Sequence, residues 1–221
     1  MHRTAANRNR LAFLSLDPWQ QRHSPGTRRQ RGQDQRAGDG RSGAGEIEHQ
    51  VRAWGLAPPR LENLIPWLHN NALASFLIYF LLYDGAAYWV HRAQHGLRWW
   101  WALHSLHHSQ RRVTAWSDDR NHVLDDLLVN VVLAVFSQLV GAQPEDYVAI
   151  LMIGRLVESW SHANVDMSFG KIGERLLVGP RFHRLHHAMA NPAEPHIHDH
   201  NFAPVFPIWD ILFGTAIFVD K

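Results

Sequence analysis

The histidines of this 221-residue chain are concentrated in two copies of the pattern His-x-x-His-His and in one His-x-x-x-His pair. Together these motifs contain eight residues: His91, His95, His104, His107, His108, His183, His186 and His187. Side chains at positions i, i+3 and i+4 of a helix lie on one face, so each triplet is predicted to direct three imidazoles to one side. With 17 His in the chain, only about 0.1 such triplets are expected by chance. The repetition therefore indicates a metal site.

Eight imidazoles exceed the ligand set of a single ion. A structural zinc ion has four protein ligands, and a catalytic zinc ion has three and a water molecule. We therefore expect two metal ions in one pocket. Imidazole binds iron, copper, nickel and zinc, so the ligand type leaves the metal open. The sequence contains no cysteine, which excludes thiolate-bound zinc, iron–sulfur clusters and disulfides.

The histidines are accompanied by apolar segments that predict membrane helices. Residues 72–90 contain one ionisable group, Asp84, and are close to the roughly 20 residues that a bilayer-spanning helix needs. Two further apolar runs, residues 127–140 and 147–160, are separated by the helix-breaking sequence Gly-Ala-Gln-Pro at 141–144. Each run is short for a full span, so we expect a helical hairpin that dips into the lipid.

The amino-terminal residues differ in composition from the rest of the chain. Residues 1–60 contain 11 Arg, no Lys and 5 acidic residues, and residues 20–45 are almost free of apolar side chains. Such a composition buries too little surface to offset chain entropy, so we expect a disordered tail over residues 1–57 and a folded domain over residues 58–221. The tail has three alternative interpretations: a nucleic-acid arm, a segment attracted to anionic lipid, or a stretch without a folded role. Aromatic interleaving is lacking, so we expect no nucleic-acid partner.

Additional motifs occur with the histidines in a defined order over residues 72–216. They are Asp84-x-x-x-Tyr88-Trp89-x-His91-Arg92-x-x-His95, His104-x-x-His107-His108, His162-x-Asn164, Arg181-x-His183-Arg184-x-His186-His187, Asp199-x-Asn201 and Trp209-Asp210-x-x-Phe213-Gly214-Thr215. In this order the motifs resemble those of the fatty acid hydroxylase/sterol desaturase superfamily. Some relatives carry another histidine where this chain has Asp166. We expect Asp166 to be solvated, with a carboxylate ligand as the alternative.

The resemblance implies an all-α, integral-membrane oxygenase that uses O2 and two iron ions to hydroxylate or desaturate a lipid such as a sterol or fatty acyl chain. It implies a helical bundle with the hairpin and with the histidine-bearing helices on the cytoplasmic side. An external electron donor is implied as well, cytochrome b5-like or ferredoxin-like with its reductase, because the chain has no cofactor-binding motif of its own. Carried over by position, the iron ligands would be nine histidines: His91, His95, His104, His107, His108, His162, His183, His186 and His187.

Each ligand histidine also needs an acceptor for its second ring nitrogen, and the acidic residues near the motifs are the candidates: Asp84, Asp118, Asp119, Asp125, Glu158, Asp199 and Asp210. Asp84 is favoured because it lies seven residues, about two helical turns, before His91 within an apolar run. Helix capping or an interhelical polar contact is the alternative for Asp84, and Asp210 is expected to fix the carboxy-terminal segment onto the site. The residues predicted to surround the ligands are Asp84, His122, Asn164, Asp199, Asn201 and Asp210.

Two other functions remain open at this point. A histidine-rich zinc-dependent hydrolase or a metal-binding membrane protein would need neither O2 nor electrons. A membrane cytochrome would need isolated histidines that face each other across a bundle, whereas these histidines occur in triplets. The apolar side chains of Phe76, Phe80 and Tyr83 are expected to line the approach of a lipid, with plain helix packing as the alternative. Arginines in the tail and near the motifs favour a site that faces the cytoplasm.

Overall fold

The computed structural model describes residues 60–110, 112–188 and 199–218, and this part of the chain is all-helical. Its α-helices are α1 (Leu61–Leu64), α2 (Ala72–Gly96), α3 (Arg98–His104), α4 (Val123–Leu139), α5 (Pro144–Ser161), α6 (Gly170–Gly173), α7 (Pro180–His186) and α8 (Ile208–Phe213). Short 3-10 turns occupy Pro66–Asn70, His107–Ser109 and Ala115–Ser117. The tail predicted over residues 1–57 lies outside the described residues.

Helix α2 forms the centre of the fold. It has 25 residues and, within the described ranges, is the one helix long and apolar enough to cross a bilayer. The sequence predicted an apolar helix over residues 72–90, and the helix continues for six more residues to Gly96. This extension places His91 and His95 on the last turns of α2, just beyond its apolar part.

The predicted helical hairpin is present as α4 and α5. Helix α4 ends at Leu139, Gly141 adopts a left-handed φ of 79° in the turn, and Pro144 begins α5. Proline suits the first helical position because its missing N–H would have no partner there. The helices have 17 and 18 residues. At 1.5 Å per residue they measure about 26 and 27 Å, slightly less than a hydrocarbon core of roughly 30 Å.

Three apolar clusters pack against α2 at successive levels. Tyr79 and Phe80 pack with Ile150 of α5, and Val90 packs with Trp100 and Leu133 at the level of the histidines. A third cluster, around Tyr88, joins α2 to α7 and to the carboxy-terminal segment. These contacts hold the histidine-bearing ends of α2, α3 and α7 together.

Gly85 allows the carboxy-terminal segment to approach α2 closely. A Cβ atom at this position would lie 2.7 Å from the indole ring of Trp209. Real Cβ atoms essentially never approach a neighbour this closely. A glycine is therefore required for Trp209 to pack on the helix.

Candidate metal centre

The structure brings all nine predicted histidines together in two adjacent clusters. The five-histidine cluster contains His91, His95, His104, His108 and His186. The four-histidine cluster contains His107, His162, His183 and His187. Within each cluster the candidate ligand nitrogens all lie within 4.8 Å of one another. Two metal ions can therefore be held by separate sets of imidazoles.

The three imidazoles of each triplet lie side by side, with ring centroids at most 5.4 Å apart, and each triplet contributes to both clusters. His104 and His108 belong to the five-histidine cluster, whereas His107 belongs to the other. The first triplet spans the end of α3 and the 3-10 turn His107–Ser109, whereas the second lies at the end of α7, and both divide in the same way. In the second triplet, His183 and His187 belong to the four-histidine cluster, and His186 belongs to the five-histidine cluster.

Backbone carbonyl oxygens orient several of these rings by accepting a hydrogen bond from the Nδ1 atom. The Nδ1 of His91 lies 2.7 Å from the carbonyl of Phe202, and the Nδ1 of His186 lies 2.8 Å from the carbonyl of His200. The Nδ1 of His162 lies 2.8 Å from the carbonyl of Glu158. A carbonyl oxygen can only accept, so each of these Nδ1 atoms carries the proton. The Nε2 lone pair of each neutral ring is then available for a metal.

Carboxylates orient two more rings of the five-histidine cluster. The Nδ1 of His104 lies 2.9 Å from Oδ2 of the buried Asp125, and the Nδ1 of His95 lies 3.2 Å from Oδ1 of Asp199. Asp125 also accepts hydrogen bonds from Gln94 at 2.7 Å and from the indole of Trp100 at 2.8 Å. These bonds hold the carboxylate of Asp125 in a single position behind His104.

The donor set fits a pair of metal ions. The Nε2 atoms of His91, His95 and His104 are buried and have no hydrogen-bond partner among the described residues. In the four-histidine cluster, His162 Nε2 lies 3.1 Å from His107 Nε2 and 3.0 Å from His183 Nε2. Two nitrogens bonded to one ion at about 2.0–2.1 Å lie about 3 Å apart when the angle between the bonds is near 90°.

The buried imidazoles are held in the neutral form that metals require. Burial lowers the pKa of His183 and His186 well below its usual value, and the neighbouring imidazoles lower it further. The pKa of His107 falls for the same two reasons, and burial with the neighbouring imidazoles lowers the pKa of His187 to about 2. Metal binding to these rings therefore needs no deprotonation near neutral pH.

Asp84 and Asp210 contact backbone rather than histidine side chains. The carboxylate of Asp84 accepts hydrogen bonds from the backbone N–H groups of Val205 and Phe206, both at 3.0 Å. Asp210 accepts hydrogen bonds from the backbone N–H groups of Phe202 at 2.9 Å and of Ala203 at 2.8 Å. Together the two carboxylates hold residues 199–206, which we call the strap, against the metal centre. Asp84 therefore acts on His91 only through the strap, whose carbonyl at Phe202 accepts from that histidine.

The other residues predicted to surround the ligands have different positions. Asn201 is fully buried and donates to the carbonyl of Phe182 at 2.9 Å, and Asp199 contacts His95 as described above. His122 caps α4, since its Nδ1 accepts the N–H of Leu124 at 3.2 Å. Asn164 is exposed, as is Asp166, whose carboxylate lies 4.0 Å from Arg181. The structure therefore places His122 and Asn164 away from the ligand nitrogens.

Three contributors to the site were missed by the sequence reasoning. Gln94 and Trp100 fix Asp125, and the strap supplies backbone carbonyls to His91 and His186. Gln94 had a detectable signal, because it lies three residues after His91 on the same helix and therefore near its face. The backbone carbonyls had none, since any residue type supplies them.

A cavity of about 150 Å³ leads to the histidines between α2, α4 and α5. Its walls include His91 and Phe80, which lie 11 residues apart on α2, so it follows the helix for about 16 Å. Its apolar lining comprises Phe80, Tyr83, Ala87, Val90, Val129, Leu133, Leu151, Pro204 and Val205. Two of the three residues predicted to line a lipid approach are therefore in the wall, and Phe76 packs against Phe80 instead.

Comparison with known proteins gives matches to lipid-oxidising proteins. Human alkylglycerol monooxygenase is 32% identical over 157 residues, which cover 68% of this chain and 31% of the human protein. Alkylglycerol monooxygenase of Danio rerio is 28% identical over 68% of this chain and 32% of its own length. A Delta(7)-sterol 5(6)-desaturase of Gibberella zeae is 28% identical over 51% of this chain and 35% of its own length. The chain thus spans about a third of the length of these relatives, and no solved structure matches it.

The family model described as fatty acid hydroxylase matches residues 76–215. This range contains both histidine clusters, the cavity and most of the strap's anchoring residues, including Asp84 and Asp210. More than half of the chain is covered, in agreement with the motif order seen in the sequence. On the match and on the assembled histidines together, the chain belongs to the fatty acid hydroxylase family.

Proposed function

We propose that this protein is a membrane-bound, non-haem di-iron oxidoreductase that uses O2 to hydroxylate or desaturate a lipid. The observation that carries the proposal is the position of the two histidine clusters at one end of a cavity with an apolar stretch of wall along α2 and α4. Family membership and the names of the relatives, which are lipid monooxygenases and a sterol desaturase, support lipid oxidation. Nine imidazoles also exceed what a zinc hydrolase needs, which is three protein ligands and a water.

The nine clustered histidines are the proposed ligands, five for one iron and four for the other. Bound there, two iron ions would supply the reductive activation of O2 that oxidation of an unactivated C–H bond requires. The chain's own contribution is orientation: carbonyls and carboxylates keep the protons on the Nδ1 atoms and direct Nε2 inward. Neutral imidazoles leave the positive charge of the irons uncancelled, unlike the carboxylate ligands of soluble di-iron bundles.

The cavity is the proposed site of the lipid. Its apolar wall would hold an acyl, alkyl or sterol carbon skeleton along α2 and exclude water from the reacting carbon. Polar groups also line it, including Asn130 of α4 and an ion pair on α5 between Arg155 and Glu158 at 3.2 Å. A substrate is therefore expected to combine an apolar body with a polar group.

The membrane is the proposed environment of the folded domain, residues 58–221. Besides the long apolar helix α2, the hairpin exposes large apolar side chains along its outer faces, such as Val131, Val135, Met152 and Leu156. Soluble proteins rarely expose so large a contiguous apolar surface. We place the metal centre on the cytoplasmic side, because the tail is rich in arginine and because Arg92 and Arg98 lie in or close to the first histidine motif in sequence.

Electrons for O2 activation are proposed to come from an external donor, cytochrome b5-like or ferredoxin-like with its reductase. The sequence has no cysteine for an iron–sulfur cluster and no glycine-rich dinucleotide loop. A soluble donor would approach the histidine-bearing end of the bundle from the aqueous side.

The proposed function is tested by counting metals in the detergent-extracted protein and by assaying lipid products. About two irons per chain, together with a product formed only with O2 and reductant, is the expected result. Zinc as the sole bound metal, with no oxidation after reconstitution with iron, would contradict the proposal and favour a hydrolase. Product analysis against sterol, acyl and alkylglycerol substrates then identifies the lipid class.

Gly154 provides a test of the cavity. It lines the cavity wall on α5, and a Cβ atom built there meets no other atom within 4 Å. Gly154→Phe should therefore fill the cavity without displacing the backbone, and we expect turnover of a lipid substrate to fall about 10- to 100-fold with unchanged iron content. Leu156→Phe is the matched control, because that side chain is 70% exposed on the same helix. Equal effects of the two substitutions would show that the cavity does not receive the lipid.

A further inference from the structure

The strap contacts three of the five rings in the five-histidine cluster within a stretch of four residues. Its backbone carbonyls at positions 200 and 202 accept from His186 and His91, and the side chain of Asp199 contacts His95. The three histidines come from α2 and α7, which are separated by more than eighty residues. A single short segment therefore joins both helices behind one metal site.

The backbone of the strap is held in an unusual conformation at this point. Asp199 and Asn201 have left-handed φ values of 64° and 58°, which are uncommon outside glycine. Two hydrogen bonds of the Asn201 side chain stabilise this backbone conformation. The side chain donates to the carbonyl of Phe182 and accepts from the N–H of Ile217 at 2.7 Å. The alternating conformation directs the carbonyls of residues 200 and 202 toward the histidines. Strain of this kind persists only where the surrounding structure enforces it.

Buried carboxylates on both sides enforce the strap's position. Asp210 binds the N–H groups of residues 202 and 203, and Asp84 binds those of residues 205 and 206. Asp84 belongs to α2, the helix that also carries His91. The helix thus fixes the strap with one side chain, and the strap in turn orients a histidine two turns further along the same helix.

The four-histidine cluster is supported by other elements. The Nδ1 of His162 is held by the carbonyl of Glu158 within α5 at 2.8 Å, and the carboxylate of Asp118 lies 3.5 Å from the same atom. Asp118 in turn accepts a hydrogen bond from Ser159 of α5 at 2.9 Å. The supports of His162 therefore come from α5 and from the loop before α4, and the Nδ1 atoms of His107 and His183 have no hydrogen-bond partner among the described residues.

We propose that the strap is a positioning element for the metal of the five-histidine cluster alone, so that the two metal sites can be weakened independently. This inference rests on the proposed function, because it requires two bound metals. Loss of such outer partners typically lowers metal affinity 10- to 100-fold. Asp84 and Asp199 are positioning residues in this arrangement, acting through the strap and through His95 respectively.

The first test uses Asp84→Asn in the full chain, loaded with Fe(II) without O2 and titrated with a chelator. The amide can accept from only one of the two strap N–H groups, and its own N–H₂ faces the other. We expect two irons in both proteins, with one iron of the variant released at a 10- to 100-fold lower chelator concentration. Joint release of both irons, or an unchanged titration, would overturn the proposal. A wild-type chain that never holds two irons would contradict the proposed function itself.

The second test keeps the proposal falsifiable if Asp84→Asn folds poorly. Asp199→Gly and Asp199→Asn both tolerate the left-handed backbone, and the side chain of Asp199 is 69% exposed, so neither substitution threatens the core. Only asparagine retains an oxygen that can accept from His95. We expect selective loss of one iron from the glycine variant and near-normal retention in the asparagine variant. Equal behaviour of the two variants would contradict a role of Asp199 in holding the site.

Discussion

His107→Ala and His186→Ala are each expected to abolish lipid oxidation while the protein still inserts into membranes. The two residues belong to different clusters, and each Nε2 atom lies about 3 Å from another imidazole nitrogen, 3.1 Å from His162 and 3.2 Å from His108 respectively. Removing one ring deletes a ligand from one metal site. Because the loss of an outer partner alone costs about 10- to 100-fold, we expect turnover to fall at least 100-fold.

The measurement combines product formation with iron content and membrane fractionation. Each variant is expected to lose one iron, His186→Ala from the five-histidine cluster and His107→Ala from the four-histidine cluster. His69→Ala serves as the control, since His69 is exposed in the turn before α2 and belongs to neither cluster. Full turnover in either ligand variant would refute the proposed ligand set.

Much of the site could be predicted from sequence because metal ligands are side chains with a characteristic spacing. The nine histidines were identified from local patterns and from the family resemblance, and the structure brings all nine together. The helices were predictable for a similar reason: residues 72–90 and the two hairpin runs are apolar, and Gly141 with Pro144 marks the turn.

The division of the histidines into five and four was not predictable from spacing. In both triplets the first and third histidines share a cluster and the second joins the other, although only the first triplet runs into a 3-10 turn. Helical spacing directs all three rings of a triplet to one side, but it does not specify which metal each ring faces, because that depends on how the helices pack around the centre. The same limit applies to the strap, whose contacts to His91 and His186 are made by backbone atoms.

The acidic partners show how position along a helix can mislead. Asp84 shares a helix with His91 at a favourable spacing, yet its carboxylate binds the backbone of the strap. Asp125, another of the acidic candidates but not the favoured one, lies 21 residues after His104 on a different helix and contacts that histidine directly. A contact between helices depends on packing geometry, which a single sequence does not specify. This difference makes Asp125 the more informative residue to change.

Asp125→Asn is expected to remove iron from the five-histidine cluster with little change in the fold. In the native protein the carboxylate accepts the Nδ1 proton of His104, which leaves the lone pair on the buried Nε2. The asparagine oxygen can still accept from Gln94 and Trp100, which places its N–H₂ group opposite His104. Nδ1 must then accept, and the ring proton moves to Nε2, where it blocks metal binding.

The expected result is about one iron per chain, a fall in turnover of roughly 10- to 100-fold or more, and a melting temperature of the metal-free protein close to that of the wild type. Asp125→Ala separates the two effects, since it removes the shared acceptor of Gln94, Trp100 and His104 and should lower stability by about 1–3 kcal/mol for each buried donor left unpaired. Asp126→Asn is the matched control for iron content, because the neighbouring carboxylate lines the cavity and has no histidine contact among its described interactions. Two tightly bound irons in Asp125→Asn would show that the proton position on His104 does not govern metal binding, and that Asp125 serves only to hold α4 against α2 and α3.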